Sequence, residues 1–160
     1  MNAVIVHDSK FGNGKFLAER MGEVFQDTMK VTISHVKEIS PEEVLEKEPT
    51  ILIIGTAVRM FILSWTSRRW VRKMKKVSKF SSHQISYGAV FVTHGLQKER
   101  VEGRANRFLK LFKSVPNIKI VHPFWLSGRV IEAEGPLEEG VESFFVEEAK
   151  KMLKQIVENT

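Results

Sequence analysis

Apolar positions in this chain fall into short unbroken runs and longer stripes at helical spacing. The two rhythms distinguish buried strands from amphipathic helices. Ala3 to Val6, Ile51 to Ile54 and Ala89 to Val92 are continuous runs, as expected of strands covered on both faces. Gly55 closes the second run and Thr93-His94-Gly95 the third. Val31 to Val36 alternates apolar and polar, which suits a strand nearer a sheet edge. Ile118 to Val121 starts another strand, which Pro123 interrupts and Phe124 to Val130 continues. Between the strands, helical stripes run through Leu17, Met21, Val24 and Phe25, through Trp70, Met74 and Val77, and through Val101, Ala105, Phe108, Leu109 and Phe112. A last stripe, from Val141 to Ile156, follows the break at Gly135-Pro136. Ser40-Pro41-Glu42-Glu43 is a helix start, with a Ser cap, Pro at the first position and acids in the first turn. That helix ends by Pro49, and a loop over Thr56 to Leu63 precedes the next one, from Ser64 to Val77.

Strand and helix thus alternate five times over 160 residues, which predicts one α/β domain, residues 1–160. Right-handed crossovers make its sheet parallel, with helices on both faces. The mixed second strand belongs at an edge, which agrees with strand order 2-1-3-4-5. In that order ligands sit beyond the carboxyl ends of strands one and three.

The turn at this switch point is Ser9-Lys10-Phe11-Gly12-Asn13-Gly14-Lys15, between the first strand and the first helix. Ser, Lys and two Gly around an Asn can aim several backbone N–H groups at one point, at the positive end of a helix dipole. That geometry suits a phosphate. A Walker loop fails here, because Ser9 stands where its first Gly belongs and Phe16 follows Gly14-Lys15. The dinucleotide fingerprint fails at Leu17, where a third small residue is required. A phospho-receiver domain would need Asp at the end of the third strand, where Gly55 and Thr56 stand.

The spacing resembles that of flavodoxins. Ile5, Val6, Ser9, Gly12 and Ala18 match the phosphate-loop signature of that family, while His7 replaces its aromatic residue and Gly14 its Thr. The resemblance extends over nearly the whole chain. Gly55-Thr56-Ala57-Val58-Arg59-Met60 occupies the place of the second flavin loop and Thr93-His94-Gly95-Leu96 that of the third. Glu134 to Gly140 looks like a tail found in several flavodoxin-like proteins. The second loop, with Arg59, is most similar to that of the flavodoxin-like protoporphyrinogen oxidases. The resemblance implies a flavodoxin-like three-layer sandwich with a five-stranded parallel sheet, and FMN as cofactor. It places Ser9, Lys10, Phe11, Gly12, Asn13, Gly14 and Lys15 at the phosphate, and Thr56, Ala57, Val58, Arg59, Met60, Thr93, His94 and Gly95 at the ring. Flavodoxins usually hold the ring between two aromatic side chains. Here Arg59, Met60 and His94 stand at those places, with Phe61 and Trp65 as the nearest aromatic substitutes.

Charge changes the picture of the partner. The net charge is +6, but between Arg59 and Lys113 there are 14 Lys/Arg against Glu99 and Glu102. Arg68 to Lys79 alone carries seven cations and no acid. A solvated helix face is the plain interpretation, and a landing surface for an anionic membrane or an acidic partner the functional one. No recognition-helix pair or stacking motif supports nucleic acid as a partner. The chain has no cysteine, so redox chemistry would have to belong to a bound cofactor. His7 and His94 should lie at the carboxyl end of the sheet, where an imidazole can donate to a flavin carbonyl or move a proton. His35, His83 and His122 lack ligand spacing, and no metal site is expected. Neither a signal peptide nor an apolar run of membrane-spanning length is apparent, so the expected location is cytoplasmic, with peripheral membrane attachment through the basic segment as an added expectation.

Two functions follow. One is an FMN-binding redox protein, either an electron carrier acting with a redox partner protein or an oxidoreductase passing electrons to a small-molecule or quinone acceptor. No catalytic acid or base is assigned. The other is a binding module of the same fold that has lost flavin, motivated by Gly14 and the absent aromatic pair.

Overall fold

The computed structural model describes residues 1–160. Strand β1 (Asn2–His7) leads into helix α1 (Asn13–Phe25), then β2 (Lys30–His35), α2 (Pro41–Glu46), β3 (Ile51–Arg59), β4 (Ile62–Leu63) and α3 (Trp65–Ser78). Strand β5 (Ile85–His94), α4 (Lys98–Lys113), β6 (Ile118–Val121), β7 (Leu126–Arg129) and α5 (Val141–Glu158) complete the chain. The parallel sheet has the order β2-β1-β3-β5-β6, which is the expected 2-1-3-4-5 arrangement of the main strands. No helix is long and apolar enough to cross a membrane.

The central strands are buried on both faces, which is why they read as unbroken apolar runs. Alternate side chains feed two cores. One contains Val4, Val6, Leu52, Ile54, Val90 and Val92 under α3 and α4, with Trp70, Met74, Phe108 and Phe112. The other contains Ala3, Ile5, Ile51, Ile53, Ala89 and Phe91 under α1 and α5, with Leu17, Met21, Phe145 and Met152. On α3 the inward residues are Ser67, Trp70, Val71, Met74 and Ser78, a register slightly different from the predicted stripe, with Val77 only half-buried. Helix α2 begins with a full capping box: Ser40 Oγ accepts from the Glu43 N–H at 3.2 Å, and the Ser40 N–H donates to Glu43 Oε2 at 2.7 Å.

Three elements differ from the sequence expectation. Strand β3 does not stop at Gly55 but continues to Arg59. Gly55 is there for space. A Cβ at this position would lie 2.0 Å from Cζ of Phe91, whose ring covers it from β5. The expected loop Thr56 to Leu63 is instead a β-hairpin, in which β4 folds back antiparallel and pairs Val58 with Leu63 and Arg59 with Ile62. Strand β5 is also longer than its apolar core, spanning Ile85 to His94. Its neighbour is split as Pro123 suggested. Gly88 pairs with Val121 and Phe91 with Leu126, so three residues of β5 span five of the partner strand. The resulting bulge turns His122 and Trp125 inward.

Candidate active site

The carboxyl ends of β1, β3 and β5 open onto one cavity of about 450 Å³, a size suited to a small organic ligand. Its floor and one wall come from the loop between β1 and α1. Gly12 turns that loop with φ 97° and caps α1, which has no side-chain cap and no acid in its first turn. Ser9 Oγ accepts from the Gly12 N–H at 3.0 Å, and His7 Nδ1 accepts from the Ser9 N–H at 3.2 Å. The loop is thereby folded without using its remaining donors. The N–H groups of Lys10, Phe11, Asn13, Gly14 and Lys15 have no acceptor within the protein. The last three belong to the first turn of α1, at the positive end of its dipole, and the first two precede its cap.

The second wall is the β3–β4 hairpin. Its tip is Met60 and Phe61, with φ of 49° and 66°, and both residues line the cavity. Arg59 does not wave in solvent: its Nη2 donates to the Asp8 carbonyl at 2.6 Å. Asp8 is itself buried. Its N–H donates to the Gly55 carbonyl at 3.1 Å, and its carboxylate accepts from Ser64 Oγ and lies 3.7 Å from His35 Nε2.

The third wall follows β5. His94 lines the cavity, yet both its ring nitrogens are engaged. Nδ1 lies 2.7 Å from the Leu96 carbonyl and must donate, which leaves Nε2 to accept from Ser127 Oγ at 2.6 Å. Burial lowers the His94 pKa, opposed in part by the Leu96 hydrogen bond. This histidine is held neutral as a wall of the cavity, with no proton to offer a ligand. His7 is also kept neutral, its pKa lowered to about 4 first by burial and then by His35 and Lys15.

Most of the residues that the sequence nominated converge. Ser9, Lys10, Phe11, Asn13, Gly14, Ala57, Val58, Arg59, Met60, Thr93, His94 and Gly95 line the one cavity. Gly12, Lys15 and Thr56 stand outside its lining. Gly12 acts through its backbone, Lys15 reaches toward Glu19 at 4.0 Å, and the Thr56 hydroxyl is buried against Ser67 Oγ. Sequence reasoning missed the fourth wall, Val130 to Ala133 after β7. Asn13 Nδ2 ties that segment to the first loop by donating to the Ala133 carbonyl at 3.2 Å. Nothing in its composition marks it; only the nearby Gly135-Pro136 break hints that the chain turns there. Of the two aromatic substitutes, Phe61 faces the cavity, whereas Trp65 lies outside it with Arg68 over its ring at 5.6 Å.

Neither a family profile nor a curated sequence matches the chain. Solved structures do. A flavodoxin WrbA-like protein from Agrobacterium tumefaciens superposes with a TM-score of 0.76 at 12% identity, covering 99% of both chains. Oxidised flavodoxin 1 from Bacillus cereus gives 0.72 at 13% identity, over 96% of this chain and 98% of the other. Rubredoxin oxygen:oxidoreductase from Desulfovibrio gigas gives 0.71 at 15% identity over 98% of this chain, which spans only 37% of the length of that protein. At these identities the likeness defines the fold alone. The molecule has the flavodoxin-like fold, with its cavity at the switch point of the sheet.

Proposed function

We propose that the chain is a flavin redox protein that holds FMN in this cavity. The observation that carries the reading is the group of five unpaired N–H donors, Lys10, Phe11, Asn13, Gly14 and Lys15, gathered in one turn at the start of an uncapped helix. Free donors at a helix start suit an anion. The residues fit the cofactor in other respects. Ser9 Oγ accepts from Gly12 and so retains its own proton to donate to a phosphate oxygen. Lys10 adds a charge at the exposed edge of the turn. Phe61 and Met60 offer apolar cover to a planar ring, and Arg59, fixed on the Asp8 carbonyl, holds a guanidinium near its edge. Bound there, the flavin supplies the electron-transfer chemistry. The chain binds, orients and shields it.

The direct test is a visible spectrum of the purified protein before and after adding FMN. An absorbance near ~450 nm that remains with the protein through gel filtration is the expected result for a bound flavin. Folded protein that takes up no FMN would assign the chain to the alternative class, a binding module of this fold without flavin.

Within the flavin class, Arg59 favours an oxidoreductase with its own substrate, an assignment in keeping with the resemblance to protoporphyrinogen oxidases and a quinone acceptor. A fixed cation beside the ring stabilises added negative charge and so raises the midpoint potential. Arg59→Met is expected to lower the potential of bound FMN in a redox titration at pH 7, with the fold intact by circular dichroism. An unchanged potential with slowed turnover of a carboxylate-bearing substrate moves Arg59 to substrate binding.

A further inference from the structure

Two surface features meet at the mouth of the cavity, and the flavin reading accounts for neither in full. The first is apolar. Met60 is 91% exposed, Phe61 53%, Ile62 63% and Trp65 62%. They form a continuous ridge along the β3–β4 hairpin and the start of α3. Two-residue hairpin turns with positive φ ordinarily use Asn and Gly, because large side chains are strained there. Met60 and Phe61 occupy both positions, so turn geometry does not explain them. Met60 and Phe61 also face the cavity, but Ile62 and Trp65 do not line it, and a bound ring leaves these two in water.

The second feature is charge. Helices α3 and α4 lie side by side on one face of the sheet and together carry twelve Lys/Arg against Glu99 and Glu102. Helices α1 and α5, on the other face, carry five Lys/Arg against six Glu. Among the twelve cations only Lys73 has a carboxylate partner, Glu42 at 3.3 Å. Both helices run antiparallel to the strands, so their N-terminal halves rise to the end of the sheet where the hairpin stands. Arg68, Arg69, Lys98 and Arg100 therefore lie at the same end of the molecule as Ile62 and Trp65.

We propose that this end of the molecule docks on an anionic lipid bilayer, with the hairpin ridge and Trp65 entering the headgroup layer and the N-terminal halves of α3 and α4 lying over lipid phosphates. An apolar ridge flanked by unpaired cations is the pattern of interfacial membrane binding. A tryptophan stacked under an arginine at the rim suits the headgroup region, where an apolar ring and a wet charge are both accommodated. A nucleic-acid partner would use the cations but gives Ile62 and Met60 no apolar environment. Docked this way, the cavity mouth, rimmed by Phe11, Met60, Phe61 and Ile131, opens at the bilayer surface. This extends the flavin proposal by placing the site within reach of an apolar reactant dissolved in the membrane, such as a quinone. The docking surface itself stands whether or not flavin binds.

Trp65 is a built-in reporter, since Trp70 and Trp125 are buried at 6% and 3% exposure. Full-length protein is mixed with vesicles of phosphatidylglycerol and phosphatidylcholine, or of phosphatidylcholine alone, and followed by sedimentation and tryptophan emission. Binding to the anionic vesicles, a blue shift of emission and quenching by brominated lipid are expected. Ile62→Ser is expected to weaken partitioning about tenfold, roughly the transfer energy of a large aliphatic side chain, and Arg69→Glu with Arg72→Glu to weaken it further, with FMN affinity unaltered in all variants. Absence of sedimentation with anionic vesicles at low salt overturns the proposal. So does binding with unshifted emission and no response to Ile62→Ser, which reduces the surface to charge adsorption. Tighter binding to polyglutamate than to vesicles assigns it to an acidic protein and overturns it as well. FMN uptake is measured separately, so failure of vesicle binding and failure of the flavin assignment are distinguishable.

Discussion

Gly14→Asp is expected to lower FMN affinity by about three orders of magnitude while leaving riboflavin affinity almost unchanged. The wild-type protein should bind FMN far more tightly than riboflavin, because the turn between β1 and α1 offers unpaired N–H donors and the Ser9 hydroxyl to a phosphate. A carboxylate introduced there repels the phosphate and competes for the same donors. Charge-assisted hydrogen bonds contribute about 1.5–3 kcal/mol each, so losing two or three removes about 4 kcal/mol. Misfolding is not an easy alternative explanation for this variant. Gly14 is not in the left-handed region, and a Cβ there would make ordinary contact with Ser9 Cβ at 3.4 Å. An acid in the first turn of a helix also favours the helix. The converse change, Gly14→Thr, offers the phosphate one more hydroxyl, as in the flavodoxin signature, and should strengthen FMN binding by about 1.5–3 kcal/mol. Fluorescence quenching titrations of both flavins decide the matter. Equal affinity of the wild type for FMN and riboflavin would remove the phosphate from this turn.

Acid is expected to destabilise the fold well above the carboxylate range, and histidines are the cause. His7 is deprotonated in the folded protein down to a pKa of about 4, against 6.5 for the free side chain. Between those values the unfolded chain binds the proton and the folded chain does not. Stability is therefore full above pH 6.5, falls as pH drops towards 4, and levels off below. The gap corresponds to about 3 kcal/mol at its fullest. His94 and His122, both pushed down chiefly by burial, act in the same direction. Around His7 the nearby Asp8 and Glu38 oppose the shift, while His35 and Lys15 add to it. Urea unfolding from pH 7.5 to 4 should show the decline. His7→Asn keeps an acceptor for the Ser9 N–H and removes the titration, so its profile should be flatter across this interval. An identical slope in the variant would free His7 of this role.

The elements that read clearly from the sequence are those whose pattern is set by burial. Strands β1, β3 and β5 lie between two helical layers, so their central runs, Ala3 to Val6, Ile51 to Ile54 and Ala89 to Val92, are apolar throughout, and β2 at the edge is mixed because its burial is partial. The edge position of β2 followed from that contrast, in agreement with the observed strand order. The turn between β1 and α1 was legible because its backbone geometry, with Gly12 at φ 97°, demands particular residues. Three features were not legible, each for a physical reason. Gly55 looks like a strand end, but it accommodates the Phe91 ring, a contact between residues on neighbouring strands. The hairpin turn at Met60 and Phe61 carries none of the usual turn residues, so no local signal announces it. His94 offers itself as a donor in the sequence, and only the folded chain shows Leu96 and Ser127 engaging both nitrogens.

Asp8 has a consequence for how a ligand is received. Its N–H holds Gly55 in the middle of β3, its carbonyl holds Arg59, and its carboxylate holds Ser64 at the base of the hairpin. One short side chain and the two peptide units that flank it thus clasp the first and second walls of the cavity together. The conformational entropy of ordering these loops is lost once, during folding, and need not be lost again when a ligand arrives. Such preorganisation couples the two ends of an extended ligand: disorder introduced at the hairpin reaches the turn that grips the far end, through Asp8 and without any contact between them.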